Sequence, residues 1–237
     1  MGLNAGYSWY PQSDVINNHG PGIDFSVVND NYFGLSDTET VLFYEFQYQS
    51  SARFNFGIGQ TYTKLTFDYD PSESEGLELP EGSDYLTYGA GIEFQSDARK
   101  KFNFRIGGLG GQYYNGSIIN VSGSINYRMQ PYGIFSIDFD INSVRLPDPY
   151  NSADILLIGP RIDLTLSKSV FWTTFFQYNS QYDNLNINSR LQWRFKPVSD
   201  LFIVYTDNYF YDFEQTAGNF GVKNRALVIK LTYWLNL

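Results

Sequence analysis

The feature that most constrains the fold is a strict alternation of apolar and polar residues, clearest near the end of the chain. In the segment 185–196, alternate positions such as Leu191, Trp193 and Phe195 are apolar, and the positions between them carry asparagine, glutamine, arginine or lysine. Successive side chains of a β-strand point to opposite faces, whereas a helix would spread both sets around its circumference. The segment therefore predicts a strand with one apolar face and one cationic, amide-rich face.

The same alternation recurs along the chain and predicts an antiparallel sheet of twelve strands. The alternating segments lie at 23–27, 41–48, 53–67, 86–95, 102–106, 119–128, 135–142, 156–166, 170–178, 185–196, 201–211 and 227–235. Short stretches such as 196–199 join neighbouring segments and are typical of turns between antiparallel strands. The segment 201–211 separates its two faces poorly, so the sequence does not assign its sides. Pro160 predicts a β-bulge, because proline removes a donor from the ladder.

Composition limits the class of protein. The chain has 237 residues, a formal net charge of -9 and no cysteine, and its aromatic residues (19%) outnumber its charged residues (17%). Globular domains carry about 25% charged residues, so this chain is depleted in charge. The acidic balance argues against a nucleic-acid partner, and the absence of cysteine excludes disulfides and thiolate metal sites. The length fits one all-β domain over 1–237, with 1–20 as a periplasmic lead or an extra strand.

Hydropathy alone would indicate a soluble protein. No apolar run approaches the ~20 residues of a membrane helix, and no signal peptide is visible after Met1. A membrane-spanning strand, however, needs only ~9–11 residues with alternate ones apolar. A soluble sandwich would bury its apolar face and a membrane barrel would expose it to lipid, and three features favour the barrel.

The first feature is the composition of the polar face, which combines amides, hydroxyls and glycine with isolated charges of both signs. Such a face is typical of the water-filled lumen of a barrel. The charged residues predicted to face the lumen are Glu45, Arg53, Glu93, Arg105, Arg128, Asp138, Asp140, Arg161, Asp163, Arg190, Arg194 and Lys230. The residues predicted to face lipid are Leu191, Trp193, Phe195, Leu227, Ile229 and Leu231.

The other two features are aromatic residues concentrated toward the strand ends, as in interfacial girdles, and connections of alternating length. The predicted short connections are 49–52, 96–100, 129–131, 167–169 and 196–199, and the mostly longer ones are 34–38, 68–84, 146–152, 179–184 and 212–220. Only 115–116, an Asn-Gly hairpin dipeptide, breaks the alternation. Short periplasmic turns and longer outer loops are the arrangement of bacterial outer-membrane barrels.

Together these features predict an all-β, antiparallel, up-and-down transmembrane β-barrel in the bacterial outer membrane. Backbone groups in hydrocarbon must all be paired, so the sheet is expected to close on itself. Twelve strands from this chain are an even number, so they can form a closed antiparallel barrel. If 5–10 is also a strand, it begins on the outer side, and a further strand upstream is then required, which gives fourteen strands.

Six motifs in the second half of the chain carry a resemblance to a known family. They are Tyr114-Asn-Gly116, Tyr127-Arg-Met-Gln-Pro131, Phe176-Gln-Tyr-Asn-Ser180, Asn188-Ser-Arg-Leu-Gln-Trp-Arg-Phe-Lys-Pro197, Ser199-Asp-Leu-Phe-Ile-Val-Tyr-Thr-Asp207 and Asn224-Arg-Ala-Leu-Val-Ile-Lys-Leu-Thr-Tyr-Trp234, with a thinner match at Gly6-Tyr-Ser-Trp-Tyr-Pro11. With these motifs the chain resembles the C-terminal barrel region of a Bacteroidetes-type family of unknown function, whose members often carry a carbohydrate-binding family-9-like domain upstream. The resemblance implies the tail of a longer surface protein and the fourteen-strand arrangement, and it transfers no catalytic residue.

Two segments raise the question of a metal site. The acidic segment 68–84 carries carboxylates, which are suitable calcium ligands, but its spacing does not follow an EF-hand and it predicts a solvated loop. His19 lies among asparagine and glycine, which predicts a solvated loop histidine, and one histidine without clustered partners cannot form a metal site. We therefore expect no metal and no other cofactor.

The sequence defines function less well than architecture. The first hypothesis is a porin-like pore or transport barrel, because twelve to fourteen strands enclose more space than the ~8 that side chains fill. The second is an anchoring or binding module for a partner subunit or an upstream carbohydrate-binding domain, with 68–84 and 212–220 as contact loops. A hydrolase is disfavoured and no catalytic residue is expected, since His19 has no serine partner. A soluble β-sandwich is the remaining alternative. Under either barrel hypothesis, the lipid of the outer membrane is an expected partner.

Overall fold

The chain folds as consecutive antiparallel strands of one sheet in a computed structural model, which describes residues 1–211 and 220–235. Within those residues thirteen strands lie side by side in chain order, from β1 to β13. They are β1 Gly2–Gly6, β2 Ile16–Asp30, β3 Gly34–Tyr48, β4 Arg53–Lys64, β5 Asp84–Gln95, β6 Phe102–Tyr113, β7 Gly116–Met129, β8 Gly133–Arg145, β9 Ala153–Ser167, β10 Val170–Asn179, β11 Asn184–Lys196, β12 Ser199–Tyr211 and β13 Phe220–Thr232. The all-β, antiparallel, up-and-down fold class is thereby confirmed, and this strand order is consistent with a β-barrel, although the sheet formed by the described residues is not closed, contrary to the prediction.

The twelve predicted segments correspond to β2 through β13, and β1 is an additional strand. It lies at Gly2–Gly6 rather than 5–10, and it pairs with 22–26 of β2. Extended pairing continues beyond it, because the amide of Tyr7 donates to the carbonyl of Pro21 at 3.0 Å. Residues 1–211 and 220–235 contain no helix that is long and apolar enough to cross a membrane.

The chain divides into two compact units. The first comprises Met1–Gly123 with Ile141–Ile155, and the second comprises Ser124–Asp140 with Leu156–Leu237. Strands β1 to β6 belong wholly to the first unit and β10 to β13 to the second. Strands β7, β8 and β9 each contribute residues to both.

Strand register places apolar residues in common rows within each unit. In the first unit Ile58 of β4 lies opposite Leu42 of β3 and Ala90 of β5. In the second unit Leu191 of β11 lies opposite Trp172 of β10 and Ile203 of β12. In each unit, the side of the sheet that carries this row is called the apolar face below, and the opposite side is called the polar face.

Register also assigns the sides of β12, which the sequence leaves open. Leu201 and Ile203 lie opposite Trp193 and Leu191 of β11, and opposite Leu231 and Ile229 of β13. The apolar face therefore continues across β11, β12 and β13.

The side chains of the apolar face are exposed, and few apolar residues are buried. Trp193, Leu227, Ile229 and Leu231 are 49–65% exposed, and Leu191 and Phe195 are partly exposed. The buried apolar residues of the described chain are Ala52, Leu65, Leu79, Val144 and Leu146. A soluble domain of this length would bury a far larger apolar core.

The predicted connection at 34–38 is wrong, because these residues belong to β3 and the chain reverses at 31–33. The carboxylate of Asp30 accepts hydrogen bonds from the amides of Tyr32 at 2.7 Å and Phe33 at 2.9 Å, which closes a tight turn. Among the described connections on that end of the strands, 65–83 and 146–152 are long, whereas 114–115 and 180–183 are short. The predicted loop 212–220 lies almost wholly outside the described residues.

The bulge predicted at Pro160 is absent from the β9–β10 ladder. Arg161 lies opposite Phe175 and Ile158 lies opposite Tyr178, so one register holds on both sides of the proline. Residue pairs at and next to Pro160 are missing from the ladder, but neither strand has an extra residue there. The register of this ladder shifts instead between Val170 and Phe171.

Candidate functional site

The polar face of the second unit carries an ion pair between charged residues that the sequence assigns to it. Arg161 and Asp163, which alternate along β9, form a salt bridge of 2.7 Å. The hydroxyl of Thr173 donates to the Asp163 carboxylate at 2.7 Å, and Arg190 and Asp138 add electrostatic interactions with this pair. These charges therefore meet on one face, as their alternation predicts.

The next part of this face uses a carboxylate that sequence reasoning missed. Arg194 pairs with Asp200 of β12 at 3.2 Å, and Gln192 donates to the same carboxylate at 2.9 Å. Lys230 lies on the same face opposite Phe202. Asp200 was missed because the segment 201–211, which it precedes, has no clear alternation.

Two predicted residues of the second unit lie on β7 and β8. Arg128 is one residue from the end of β7, and Asp140 shares a face of β8 with Asp138 by strand alternation. Both engage in interactions with neighbouring groups.

In the first unit, the predicted charges form two adjacent rows across the polar face. Glu45 and Glu93 both lie opposite Asn55, and Arg53 and Arg105 both lie opposite Gln95. The rows are joined by a salt bridge of 3.4 Å between Arg105 and Glu93. All four residues lie on the polar face.

A cavity of about 800 Å³ opens on this polar face and lies wholly within the first unit. Ligand pockets in proteins typically measure about 300–1,000 Å³, so the volume suits a small organic molecule. Its lining combines acidic, aromatic and glycine residues, chiefly Asp24, Glu39, Glu45, Glu93, Phe43, Tyr85, Tyr113, Tyr114, Gly57, Gly59, Gly89, Gly91, Gly107 and Gly111. No lysine or arginine belongs to the lining.

Glycines on three adjacent strands form the floor of the cavity. Gly57 lies opposite Gly91, and Gly59 lies opposite Gly89, which in turn lies opposite Gly111. At these positions no side chain fills the space above the backbone. A Cβ atom added at Gly111 would lie 2.5 Å from both the Gly89 Cα and the Tyr88 carbonyl oxygen. The close approach of β6 to β5 therefore requires glycine there.

Two cavity carboxylates, Asp24 and Glu39, are absent from the predicted set. The carboxylate of Asp24 accepts a hydrogen bond from the side-chain amide of Asn4. Within the described residues, Asp24, Glu39 and Glu45 form no salt bridge, whereas Glu93 does. Glu39 was missed because β3 starts earlier than its alternation suggests.

The long connection 65–83 is an ordered loop built around Asp70. The Asp70 carboxylate accepts hydrogen bonds from the amides of Ser72, Ser74 and Gly76 at 2.9–3.1 Å, and from the Ser72 hydroxyl at 2.6 Å. The Asn151 side chain, from connection 146–152, donates to the Ser74 hydroxyl at 3.2 Å. The acidic segment is a loop with exposed glutamates, as predicted, and the hydrogen bonds of Asp70 give it a defined structure.

Tyrosines connect this loop to the cavity. Tyr69 pairs across the loop with Leu79, and its ring centroid lies 5.4 Å from that of Tyr114. Tyr114 contacts Tyr85 at 5.5 Å and Tyr113 at 4.7 Å, and these three line the cavity. Burial raises the pKa of Tyr114 to about 12. Tyr69 therefore places the loop at one end of the cavity.

The hydrogen bonds of Asp70 predict an acid-sensitive loop. Burial alone would raise the pKa of Asp70, but the bonds from Ser72, Gly76 and Ser74 outweigh burial and hold this pKa below its usual 3.8. Ionised Asp70 therefore stabilises the loop above pH 3.8, and this contribution is lost as the pH falls through the lowered pKa of the folded protein.

At neutral pH, Asp70→Ala removes the same bonds, so a protease that cleaves after glutamate should cut 65–83 at least about fivefold faster, because the loss of even one net hydrogen bond costs about 1 kcal/mol. Asp14→Ala, which removes an exposed carboxylate outside the loop, is the matched control and should leave the cleavage rate unchanged. Equal cleavage of the two variants would contradict the assigned role of Asp70.

Aromatic residues cluster on the apolar face near the strand ends. In the first unit, Tyr44 lies 5.9 Å from Phe56 and 5.0 Å from Phe46 between ring centroids. In the second unit, Phe195 lies 5.8 Å from Trp193 and 6.3 Å from Tyr233. Such belts are typical of the interfacial regions of membrane proteins.

The prediction that His19 is a solvated loop residue is wrong, because His19 lies in β2 and joins this aromatic cluster. Its Nδ1 atom lies 2.6 Å from the Tyr44 hydroxyl, and its ring stacks on Phe46 with centroids 5.5 Å apart. The polar residues around His19 suggested a loop, whereas pairing with the aromatic residues of β3 imposes a strand.

The apolar face of the second unit also carries one ion pair, which sequence reasoning missed. Asp207 is 0% exposed, and its carboxylate accepts hydrogen bonds from the hydroxyls of Tyr205 at 2.5 Å and Tyr209 at 2.6 Å. Arg225 of β13 completes the group with a salt bridge of 2.8 Å. The tyrosines two positions before and after Asp207 are a sequence signal that could have indicated it. A charge on such a face requires a partner of opposite sign, and Arg225 supplies it.

No group of three or more metal-binding side chains occurs in residues 1–211 and 220–235. In the acidic loop, both carboxylate oxygens of Asp70 accept hydrogen bonds from the loop's own backbone.

No family model, curated protein or solved structure matches this chain. The resemblance to a Bacteroidetes-type barrel family therefore remains a prediction.

Proposed function

We propose that the protein is a bacterial outer-membrane β-barrel that provides a passage for small solutes along its polar face. The observation that carries the proposal is the opposite character of the two faces. The apolar face leaves residues such as Leu42, Ile58 and Ile229 at least half exposed, whereas charged groups meet on the other face. In water such an apolar surface would be unusually large, and in a bilayer it would contact lipid.

Further support comes from the dimensions and the ends of the strands. Strands β2 to β13 span from 10 to 15 residues, close to the ~9–11 needed to cross a bilayer at a tilt. Aromatic residues at the strand ends would lie at the level of the lipid headgroups. The cavity in the first unit would form part of the solute path.

A second candidate function is anchoring of a partner at the outer membrane. The fixed loop 65–83 supports this candidate, because a rigid loop presents a defined surface to a partner. Its hydrogen bonds through Asp70 and its contact with Asn151 would hold that surface in place.

Conductance in planar lipid bilayers tests the passage. The purified protein should insert from detergent and produce stepwise currents, and a detergent-only sample is the control. Insertion should be verified independently by protection from protease in lipid vesicles. A protein that inserts but conducts no current would contradict the passage and favour anchoring, and a protein that stays soluble without detergent would contradict both.

A further inference from the structure

We propose that the cavity of the first unit binds extended organic cations of the polyamine class. This inference rests on the proposed function, since it names the solute class for the same polar face. Its basis is a cavity of small-molecule size whose lining contains four carboxylates and no cationic side chain.

Three of the four carboxylates form no salt bridge within the described residues and can pair with a cationic ligand. Glu93 is paired with Arg105 at 3.4 Å, but Asp24, Glu39 and Glu45 form no salt bridge within the described part of the chain. A cationic ligand would supply the missing charge, whereas an anionic ligand would meet carboxylates alone. The lining therefore selects for positive charge.

The three unpaired carboxylates are arranged along a line rather than around a point. Glu39 and Glu45 lie on the same face of β3, and at about 3.4 Å per residue their Cα atoms are roughly 20 Å apart. Asp24 of β2 lies opposite Val41, between them. A compact metal ion could not contact both Glu39 and Glu45, whereas a linear polyamine carries ammonium groups spaced along an extended chain.

The remaining lining suits the aliphatic part of such a ligand. The glycine floor at Gly57, Gly59, Gly89 and Gly91 leaves the backbone uncovered, so a slender chain can lie flat against β4 and β5. Aromatic rings such as Phe43 and Tyr113 also line the cavity, and aromatic faces attract ammonium groups.

Isothermal titration calorimetry with spermidine, on the full chain in detergent at low ionic strength, tests this proposal. The informative variant is Glu39→Gln combined with Glu45→Gln. Each neutralised carboxylate should weaken spermidine binding about two- to fivefold, the range expected for exposed charge pairs. Raising the salt concentration should weaken binding to the unmodified protein through screening.

The matched control is Glu78→Gln combined with Glu81→Gln, which makes the same change in net charge at two exposed loop positions outside the cavity lining. This control should bind spermidine as the unmodified protein does. Absence of spermidine binding to the unmodified protein, or equal weakening in both double variants, would overturn the proposal.

Because the titration needs no ion current, its result is independent of conductance. A conducting barrel that does not bind spermidine would refute the cation site alone. A silent barrel that binds spermidine with the predicted dependence on Glu39 and Glu45 would refute the passage alone.

Discussion

Leu42→Arg is expected to destabilise the membrane-inserted protein by about 2–4 kcal/mol, the cost of arginine on the lipid face near the bilayer midplane. Leu42 is 50% exposed on the apolar face and lies at the middle of β3, opposite Ile23 and Ile58. In a soluble protein, an exposed leucine at this site would accept arginine within about 0.5 kcal/mol. The predicted effect therefore depends on lipid contact.

The neighbouring residue provides the matched control. Val41 lines the cavity on the opposite face and lies opposite Asp24, so the guanidinium of Val41→Arg would enter an acidic, hydrated space. We expect Val41→Arg to be much better tolerated. Equilibrium unfolding by denaturant in lipid vesicles compares the two variants, and equal free energies of unfolding would argue against a lipid-facing Leu42.

Gly111→Ala is the second substitution for which we expect a large effect. The added methyl would lie 2.5 Å from two backbone atoms of β5, at Gly89 and Tyr88, and backbone cannot move aside without separating the strands. Overpacking of this kind costs about 1–3 kcal/mol, so the free energy of unfolding should fall by that amount.

Gly59→Ala is its control on the same cavity floor. A methyl at Gly59 would lie 3.6 Å from the Val41 side chain, an ordinary van der Waals distance. The two variants make the same chemical change in the same cavity and differ only in the space available. Equal unfolding free energies in vesicles would show that the β5–β6 approach at Gly111 is not tight.

Alternation predicts the strands well because it depends on local geometry alone. The twelve segments and the side of residues such as Arg190 and Leu191 follow directly from a period of two. Turns are harder to predict, since Asp30 closes the 31–33 turn by accepting two backbone hydrogen bonds, a contact that alternation does not encode. The start of β3 and the exposure of Glu39 to the cavity were missed for that reason.

The cavity and the Asp207–Arg225 pair depend on register, which a single strand cannot reveal. Gly57 and Gly91 are unremarkable glycines in separate segments, and they form a common floor only when β4 and β5 align. Asp207 and Arg225 are likewise distant in sequence, and the β12–β13 ladder places them opposite each other. Pairing between strands therefore supplies the information that the pattern within each strand lacks.

A single-cysteine accessibility scan of β13 in lipid vesicles most directly tests whether the apolar face contacts lipid. The chain contains no cysteine, so each introduced residue is a unique site for a spin label. Labels at 227, 229 and 231 should be accessible to oxygen dissolved in the bilayer, and labels at 228 and 230 should be accessible to a water-soluble relaxation agent. Water accessibility at all five positions, or the reverse alternation, would contradict the lipid-facing assignment.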